Sequence, residues 1–172
     1  MRALLALVAL SVLGCGACGE RAQAVPNAIE RWPLVRVLAS DALEGRAPGS
    51  EGSRKARAAI IAELVRCGVR PAGAGFEHPT TGPGINVIGE LAGSEPGRYV
   101  VLSAHYDHLG RHDGEIMNGA DDNAAAVGSV VEVACRLAKA PRRATLMVAL
   151  WDTEEPCLLY TSPSPPDRTR SR

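Results

Sequence analysis

The sequence predicts an α/β domain in which helices pack against a central β-sheet. Three observations support this fold class. After residue 53 the predicted elements are helix, strand, strand, helix and strand, an order typical of a sheet sandwiched by helices. The last strand is apolar at nearly every position, as expected for a strand buried on both faces. Histidine and acidic residues stand where these elements end or begin, which is where open α/β sheets hold their functional groups.

The first part of the domain contains two predicted helices. Residues 33–39 form a short helix with Pro33 at its first position, where proline is tolerated. Residues 41–53 are a loop rich in glycine, serine and proline. Ser53 is predicted to cap an amphipathic helix that runs to Cys67 and is stopped by Gly68. The apolar face of this helix carries Ala56, Ile60, Leu64 and Cys67.

The second part alternates strands with a helix. Residues 85–91 and 98–104 are β-rich runs, and residues 93–97 between them have the composition of a turn. A second long helix is predicted over residues 122–139, with acids at its start and basic residues at its end, as the helix dipole prefers. Residues 144–151 then form the buried strand.

The N-terminal residues 1–24 have the pattern of an export signal. One basic residue precedes an apolar run that is too short to span a bilayer comfortably. Cys15 directly follows this run, so cleavage before it would leave a cysteine that carries a lipid and anchors the protein to a membrane. Ala22-Gln23-Ala24 is the alternative, an ordinary signal-cleavage site. We expect an exported protein that is periplasmic or a membrane-anchored lipoprotein, or alternatively secreted.

Residues 25–156 are predicted to be the folded domain, and residues 157–172 a non-native, disordered tail. Mixtures of proline, serine and arginine cannot bury a core. The tail resembles the translated adapter read-through at the ends of truncated genes, so we expect the chain to be an N-terminal fragment.

Charge and cysteine content exclude some function classes. Lysine plus arginine and aspartate plus glutamate number 19 each, and the domain has no basic stripe, which argues against a nucleic-acid partner. Cys67 and Cys135 each lie in a predicted helix, and an exported setting would permit them to pair, but the sequence leaves this open. Nothing in the sequence indicates an oligomeric state.

A histidine and an acid follow the second predicted strand. A lone histidine at a strand end is usually a core residue. Asp107, however, stands two residues after His105, and a carboxylate beside a zinc-bound imidazole fixes its tautomer. His108 and His112 in the same stretch are interpreted as ordinary loop residues.

Two further pairs of acids complete the pattern. A helix cap requires only one acid, whereas Asp121 and Asp122 are two. A role for one of them in bridging two metal ions would explain the pair. Glu154 and Glu155 leave the buried strand in different directions, so one can bind metal while the other accepts a proton. Each motif is weak alone, but the three in order predict a zinc hydrolase.

These residues resemble metallopeptidase family 28, the co-catalytic zinc aminopeptidases and related carboxypeptidases, in its exported bacterial form. The resemblance covers residues 34–155: residues 38–50 are similar to an N-terminal signature, 86–88 to the first strand, and 105–110 and 119–123 to the zinc motifs. It implies a three-layer α/β sandwich with a mixed, mostly parallel central sheet, the zinc exopeptidase fold, here truncated.

The resemblance also implies roles for individual residues. His105 would be a terminal ligand of one zinc, Asp122 the bridge and Glu155 a ligand of the other zinc. Glu154 would be the general base and Asp107 the acid that orients His105. The complete domain would hold two zinc ions. The family's remaining ligands, an acid and a distant histidine, have no counterpart here, so weak or absent zinc binding and no useful activity are expected for this chain.

The resemblance implies an exopeptidase, in the first place an aminopeptidase that hydrolyses N-terminal residues of peptides through a zinc-bridging hydroxide. A carboxypeptidase belongs to the same family. Two alternatives remain: a one-zinc enzyme similar to glutaminyl cyclases, and a non-catalytic exported binding domain of the same fold. The acid pairs at 121–122 and 154–155 favour hydrolysis.

Overall fold

The computed structural model describes residues 33–156 of the chain. The expected export signal of residues 1–24, with Cys15, and the expected tail of residues 157–172 lie outside the described residues. No helix within residues 33–156 is long and apolar enough to cross a membrane.

Within the described residues, two helices come first, six strands follow in succession, and a third helix precedes the last strand. The helices are α1 (Pro33–Leu38), α2 (Glu51–Arg66) and α3 (Ala125–Ala138), with a 3₁₀ segment at Asp41–Arg46 and a π-type turn at Ala120–Ala124. The strands are β1 (Arg70–Pro71), β2 (Glu77–Pro79), β3 (Ile85–Leu91), β4 (Tyr99–His105), β5 (Gly110–His112), β6 (Glu115–Met117) and β7 (Thr145–Trp151).

The main sheet has the order β1-β3-β7-β4, with β2 also paired to β3, and β5 and β6 form a separate hairpin. The prediction of a mixed sheet is confirmed, because β4 and β7 are parallel while β3 is antiparallel to β7. The expectation of a mostly parallel sheet is wrong for residues 33–156. The strands β1 and β2 both pair with β3 in antiparallel orientation. For β2, the connection over residues 80–84 is too short for a parallel crossover.

The core lies between the sheet and the helices. The helices contact one another, α3 contacts β4 and β7, and α2 contacts β3. The described helices therefore cover one face of the sheet, and a full three-layer sandwich is not present within residues 33–156. The predicted apolar face of α2 is confirmed, since Ala56, Ile60 and Leu64 are completely buried. Burying one such leucine or isoleucine side chain stabilises the folded state by about 1.5–3 kcal/mol relative to leaving it exposed to water.

Helix α2 begins earlier than the sequence predicted. Ser50, not Ser53, is the N-cap, and its hydroxyl oxygen accepts a hydrogen bond from the Ser53 backbone N–H at 3.1 Å. Ser53 faces inward instead, where its buried hydroxyl donates to Oδ2 of Asp152 at 3.4 Å. A serine inside the first turn was mistaken for the cap because two candidate caps stand three residues apart.

Helix α3 begins later than predicted. Asp122 (φ −113°, ψ 94°) and Asn123 (φ −134°, ψ 32°) have non-helical backbone angles, and their peptide bond is cis. The helix starts at Ala125, after an N-cap residue that makes no side-chain capping bond. The acids of this segment therefore do not cap the helix, which leaves them available to a functional site.

Cys67 and Cys135 form a disulfide, which answers the question left open by the sequence. The bond joins the C-terminal end of α2 to α3, with a Cα–Cα distance of 4.9 Å. This distance is ordinary for a protein disulfide.

Candidate metal centre

The sheet topology brings the predicted site residues together. The parallel strands β4 and β7 pair His105 with Trp151, so both strands end at the same edge of the sheet. Asp107 follows His105 by two residues, and Glu154 follows Trp151 by three. The turn at Ala120–Ala124 precedes α3, which packs on the same two strands. Three segments far apart in sequence thus converge at one sheet edge.

His105 lies close to two of the predicted acids. Its Nε2 atom is 3.2 Å from Oδ1 of Asp122 and 3.8 Å from Oε2 of Glu154. Two ligands of one tetrahedral zinc ion stand about 3.3 Å apart, because each lies about 2.0–2.1 Å from the metal. His105 and Asp122 therefore have the spacing of two ligands of the same ion.

Asp107 is completely buried beside His105. Its Oδ1 is 3.6 Å from Nδ1 of His105 and has no hydrogen-bond partner among the described residues. Its Oδ2 accepts a hydrogen bond from the backbone N–H of Glu155 at 3.1 Å. The neighbouring carboxylate of Asp107 raises the pKa of His105, the negative charges of Glu154 and Asp122 add to this, and burial opposes it. Asp107 thus contacts both sides of the site, as an orienting carboxylate would.

His108 is a site residue that the sequence interpretation missed. It is only 8% exposed, and its Nδ1 lies 2.7 Å from Oε1 of Glu155. His108, Asp122 and Glu155 offer donor atoms that all lie within 4.8 Å of one another, a second set that could hold a metal ion. The only signal in the sequence was the three-residue spacing from His105. His112 is exposed but lies at the end of strand β5 rather than in a loop.

Arg46 is a second residue that the sequence did not identify. Its buried guanidinium donates hydrogen bonds to the backbone oxygens of Tyr106 at 2.8 Å, Asn118 at 2.7 Å and Gly119 at 3.0 Å, and also to that of Leu38. Burial lowers its pKa to about 10, while the negative charges of the nearby site acids act in the opposite direction. Arg46 thus connects the N-terminal segment to the segment after β4 and to the loop before α3.

Asp152 fixes the turn that leads to the glutamate pair. Its buried Oδ2 accepts hydrogen bonds from the Tyr106 hydroxyl at 2.8 Å and the Ile85 backbone N–H at 2.9 Å. Burial and the charge of Asp152 raise the pKa of Tyr106, so this hydroxyl remains a donor. The next residue, Thr153, has a positive φ of 70°. These contacts hold the backbone just before Glu154 in a defined turn.

Exposure distinguishes the carboxylates of the site. The Asp122 side chain is 63% exposed and that of Glu154 is 35% exposed, whereas that of Glu155 is 15% exposed. Solvent therefore reaches Asp122 and Glu154 directly. The site combines imidazole and carboxylate donors, as zinc hydrolases require, with a buried acid behind one imidazole.

Comparison with known proteins gives one family match. The model of Peptidase family M28 matches residues 86–162, a span that begins in β3 and includes His105, Asp122 and Glu155. No curated protein sequence significantly matches the chain.

Several solved structures are similar in fold. LapA of Legionella pneumophila has a TM-score of 0.63 at 18% identity, over 77% of this chain and 37% of its own. A Porphyromonas gingivalis glutaminyl cyclase has a TM-score of 0.57 at 23% identity, over 74% of this chain and 48% of its own. A Zn-dependent exopeptidase from Parabacteroides distasonis has a TM-score of 0.54 at 22% identity, over 82% of this chain and 52% of its own. The chain therefore spans about half or less of the length of these structures.

Proposed function

Since this chain carries part of a Peptidase family M28 domain, we propose that the complete protein is a zinc-dependent exopeptidase, with His105, Asp122 and Glu155 among its metal ligands. One observation carries the proposal most directly. The Nε2 atom of His105 lies 3.2 Å from Oδ1 of Asp122, at a sheet edge where three segments bring together imidazoles and carboxylates.

The described residues fit zinc by their chemistry. The donors are imidazole nitrogen and carboxylate oxygen, which Zn²⁺ takes as ligands. The Oδ1 atom of buried Asp107 has no hydrogen-bond partner among the described residues and lies beside Nδ1 of His105. A carboxylate that orients a ligating histidine occupies the same position. We propose that the complete domain would hold two zinc ions and that Asp122 would be a ligand of both. Bound zinc would supply polarisation of a carbonyl group and a water molecule of lowered pKa.

The protein's own residues divide the remaining tasks. Asp107 holds the His105 ring so that Nε2 faces Asp122. Glu154 reaches the same side, with Oε2 3.8 Å from Nε2 of His105, and its partial exposure lets water approach it. We assign Glu154 as the general base that takes a proton from the attacking water and returns it to the leaving amine.

The proposed substrate is a peptide with a free N-terminus, which makes the enzyme an aminopeptidase. We also propose that the protein is exported and anchored through a lipid at Cys15, or otherwise periplasmic or secreted. The Cys67–Cys135 disulfide supports export, because disulfides persist mainly in oxidising compartments.

The test is Glu154→Gln in the complete protein, with Glu115→Gln as the matched control at an exposed strand position. Loss of the general base should lower amino-acid release from a peptide by about 10²–10⁴-fold. Zinc content, measured by atomic absorption, should stay unchanged in both variants. Full activity of Glu154→Gln would show that Glu154 is not the general base. A complete wild-type protein that contains no zinc would instead support a non-catalytic binding domain.

The second candidate is a glutaminyl cyclase, because bacterial glutaminyl cyclases share the fold. The acid pairs at 121–122 and 154–155 favour the hydrolase. A peptide with N-terminal glutamine separates the two activities: a cyclase releases ammonia from it, whereas an aminopeptidase releases free glutamine.

A further inference from the structure

We propose that His108 is a positioning residue that fixes Glu155 for metal binding by donating its Nδ1–H to one oxygen of that carboxylate. The inference rests on the proposed metal site and extends it to a residue outside the ligand set proposed above.

The contact has the geometry of a hydrogen bond. Nδ1 of His108 is 2.7 Å from Oε1 of Glu155. An ionised carboxylate can only accept, so the proton must reside on Nδ1. The distance is also shorter than the separation of about 3.3 Å between two ligands of one tetrahedral zinc ion. His105 and Asp122, at 3.2 Å, have the ligand spacing, whereas His108 and Glu155 do not.

The His108 ring is held in place from two other directions. A Cβ atom on Gly119 would lie 2.6 Å from Cδ2 of His108, so a residue without a side chain is required where the ring packs against the loop before α3. The backbone N–H of His108 donates to the backbone oxygen of Arg46 at 3.4 Å. The ring is also 8% exposed, so it has little freedom to turn away from Glu155.

Glu155 is consequently held at two points. Asp107 accepts from its backbone N–H at 3.1 Å, and His108 contacts its side chain at 2.7 Å. Because Oε1 already accepts the bond from His108, Glu155 offers its other oxygen to a metal ion. A single stretch of chain, residues 105–108, therefore supplies one ligand and orients a second one.

A spectroscopic measurement tests the hydrogen bond without metal. In the metal-free protein labelled with ¹⁵N-histidine, long-range ¹H–¹⁵N correlation should show neutral His108 as the Nδ1–H tautomer. Glu155→Ala removes the acceptor and should release the ring from that tautomer. An Nε2–H tautomer in the wild-type protein would overturn the proposal, whether or not the protein binds zinc.

Zinc affinity tests the positioning role. In the complete protein, His108→Ala should weaken zinc binding about 10–100-fold, the effect typical of removing a partner of a ligand. His108→Asn keeps an N–H donor near the Nδ1 position and should restore affinity to within about threefold of wild type. His112→Asn, at an exposed histidine, is the control and should bind as wild type does.

The outcomes separate this inference from the proposed function. Unchanged affinity in His108→Ala, with zinc lost in His105→Ala, would overturn the role of His108 and leave the metal site standing. Equal losses in His108→Asn and His108→Ala would make His108 a ligand itself and also contradict the proposal. A complete wild-type protein that binds no zinc would overturn the proposed function, and the positioning role with it.

Discussion

Arg46 is the residue on which the loops of the site depend most directly. Its guanidinium contacts the backbone oxygens of Leu38, Tyr106, Asn118 and Gly119, which belong to three separate segments. Arginine suits this position because its planar group presents five donors in fixed directions. No periodicity or charge pattern in the sequence marks such a contact, since the partners are backbone atoms.

Replacing Arg46 tests this dependence. Arg46→Met leaves buried carbonyl groups without donors, and we expect it to lower the free energy of unfolding by about 3–5 kcal/mol. Arg36→Met, at an exposed position of α1, should change it by no more than about 0.5 kcal/mol. Urea unfolding of both variants measures the difference. A loss below about 1 kcal/mol for Arg46→Met would contradict the assignment.

The metal-free protein should become less stable as the pH rises past neutrality. The pKa of His105 is raised above its ordinary value of 6.5, chiefly by the neighbouring carboxylate of Asp107. The stabilisation by the protonated ring is therefore fully present below the unfolded pKa and is lost as the pH rises through the folded pKa. Urea unfolding with a chelator at pH 6 and pH 8 measures the slope. His105→Asn should reduce the dependence of the free energy of unfolding on pH. An unchanged dependence in this variant would mean that another group causes it.

At the scale of elements, the sequence predicted the long helices and strands better than the short strands. The bounds of β3 and the burial of β7 up to Leu150 agree with the prediction, because segments rich in Ile, Val and Leu leave few alternatives. The strands β1, β2, β5 and β6 were missed, since two or three mostly exposed residues carry no period. The start of α3 was placed too early because aspartates before an apolar run resemble a cap.

The candidate site was predicted in part for the same reason. Acids and a histidine at element ends are visible in the sequence, so His105, Asp122 and Glu155 could be selected and the structure brings them together. His108 could not be selected, because its contact with Glu155 depends on how a loop folds back across 47 positions. Which residue contacts His108 across so many sequence positions depends on the topology of the fold and is not visible in the neighbouring sequence.

The loop before α3 depends on Gly119, which gives a further prediction. Gly119 has φ +52°, and a Cβ there would lie 2.2 Å from the backbone oxygen of Asp122. Gly119→Ala should therefore displace the loop and weaken zinc binding at least tenfold. Gly114 has φ +83° with open space around it, so Gly114→Ala should cost about 1 kcal/mol from backbone strain alone and keep its zinc. Equal zinc affinity in both variants would contradict the prediction.

At the scale of the whole molecule, the disulfide connects helices that the chain separates by 68 positions. Closing a loop of that length restricts the unfolded chain and stabilises the fold by about 4 kcal/mol. Reduction, or the double variant Cys67→Ser/Cys135→Ser, should lower the free energy of unfolding by this amount in urea titrations. Reductant should not destabilise the double variant further. If reductant left the free energy of unfolding of the wild-type protein unchanged, the disulfide would not contribute to its stability.

The Arg46 contacts also set an order of events during maturation. They join residues 60 to 73 positions apart, and contacts of such separation form late because the intervening chain must first be ordered. The segment after His105 and the loop before Asp122 are therefore expected to reach their final shape only when the N-terminal segment has docked. In the proposed metalloenzyme, zinc uptake would then be the closing step of folding rather than its nucleus. A chain exported before it folds would acquire its metal only at its destination, from whatever supply that compartment holds.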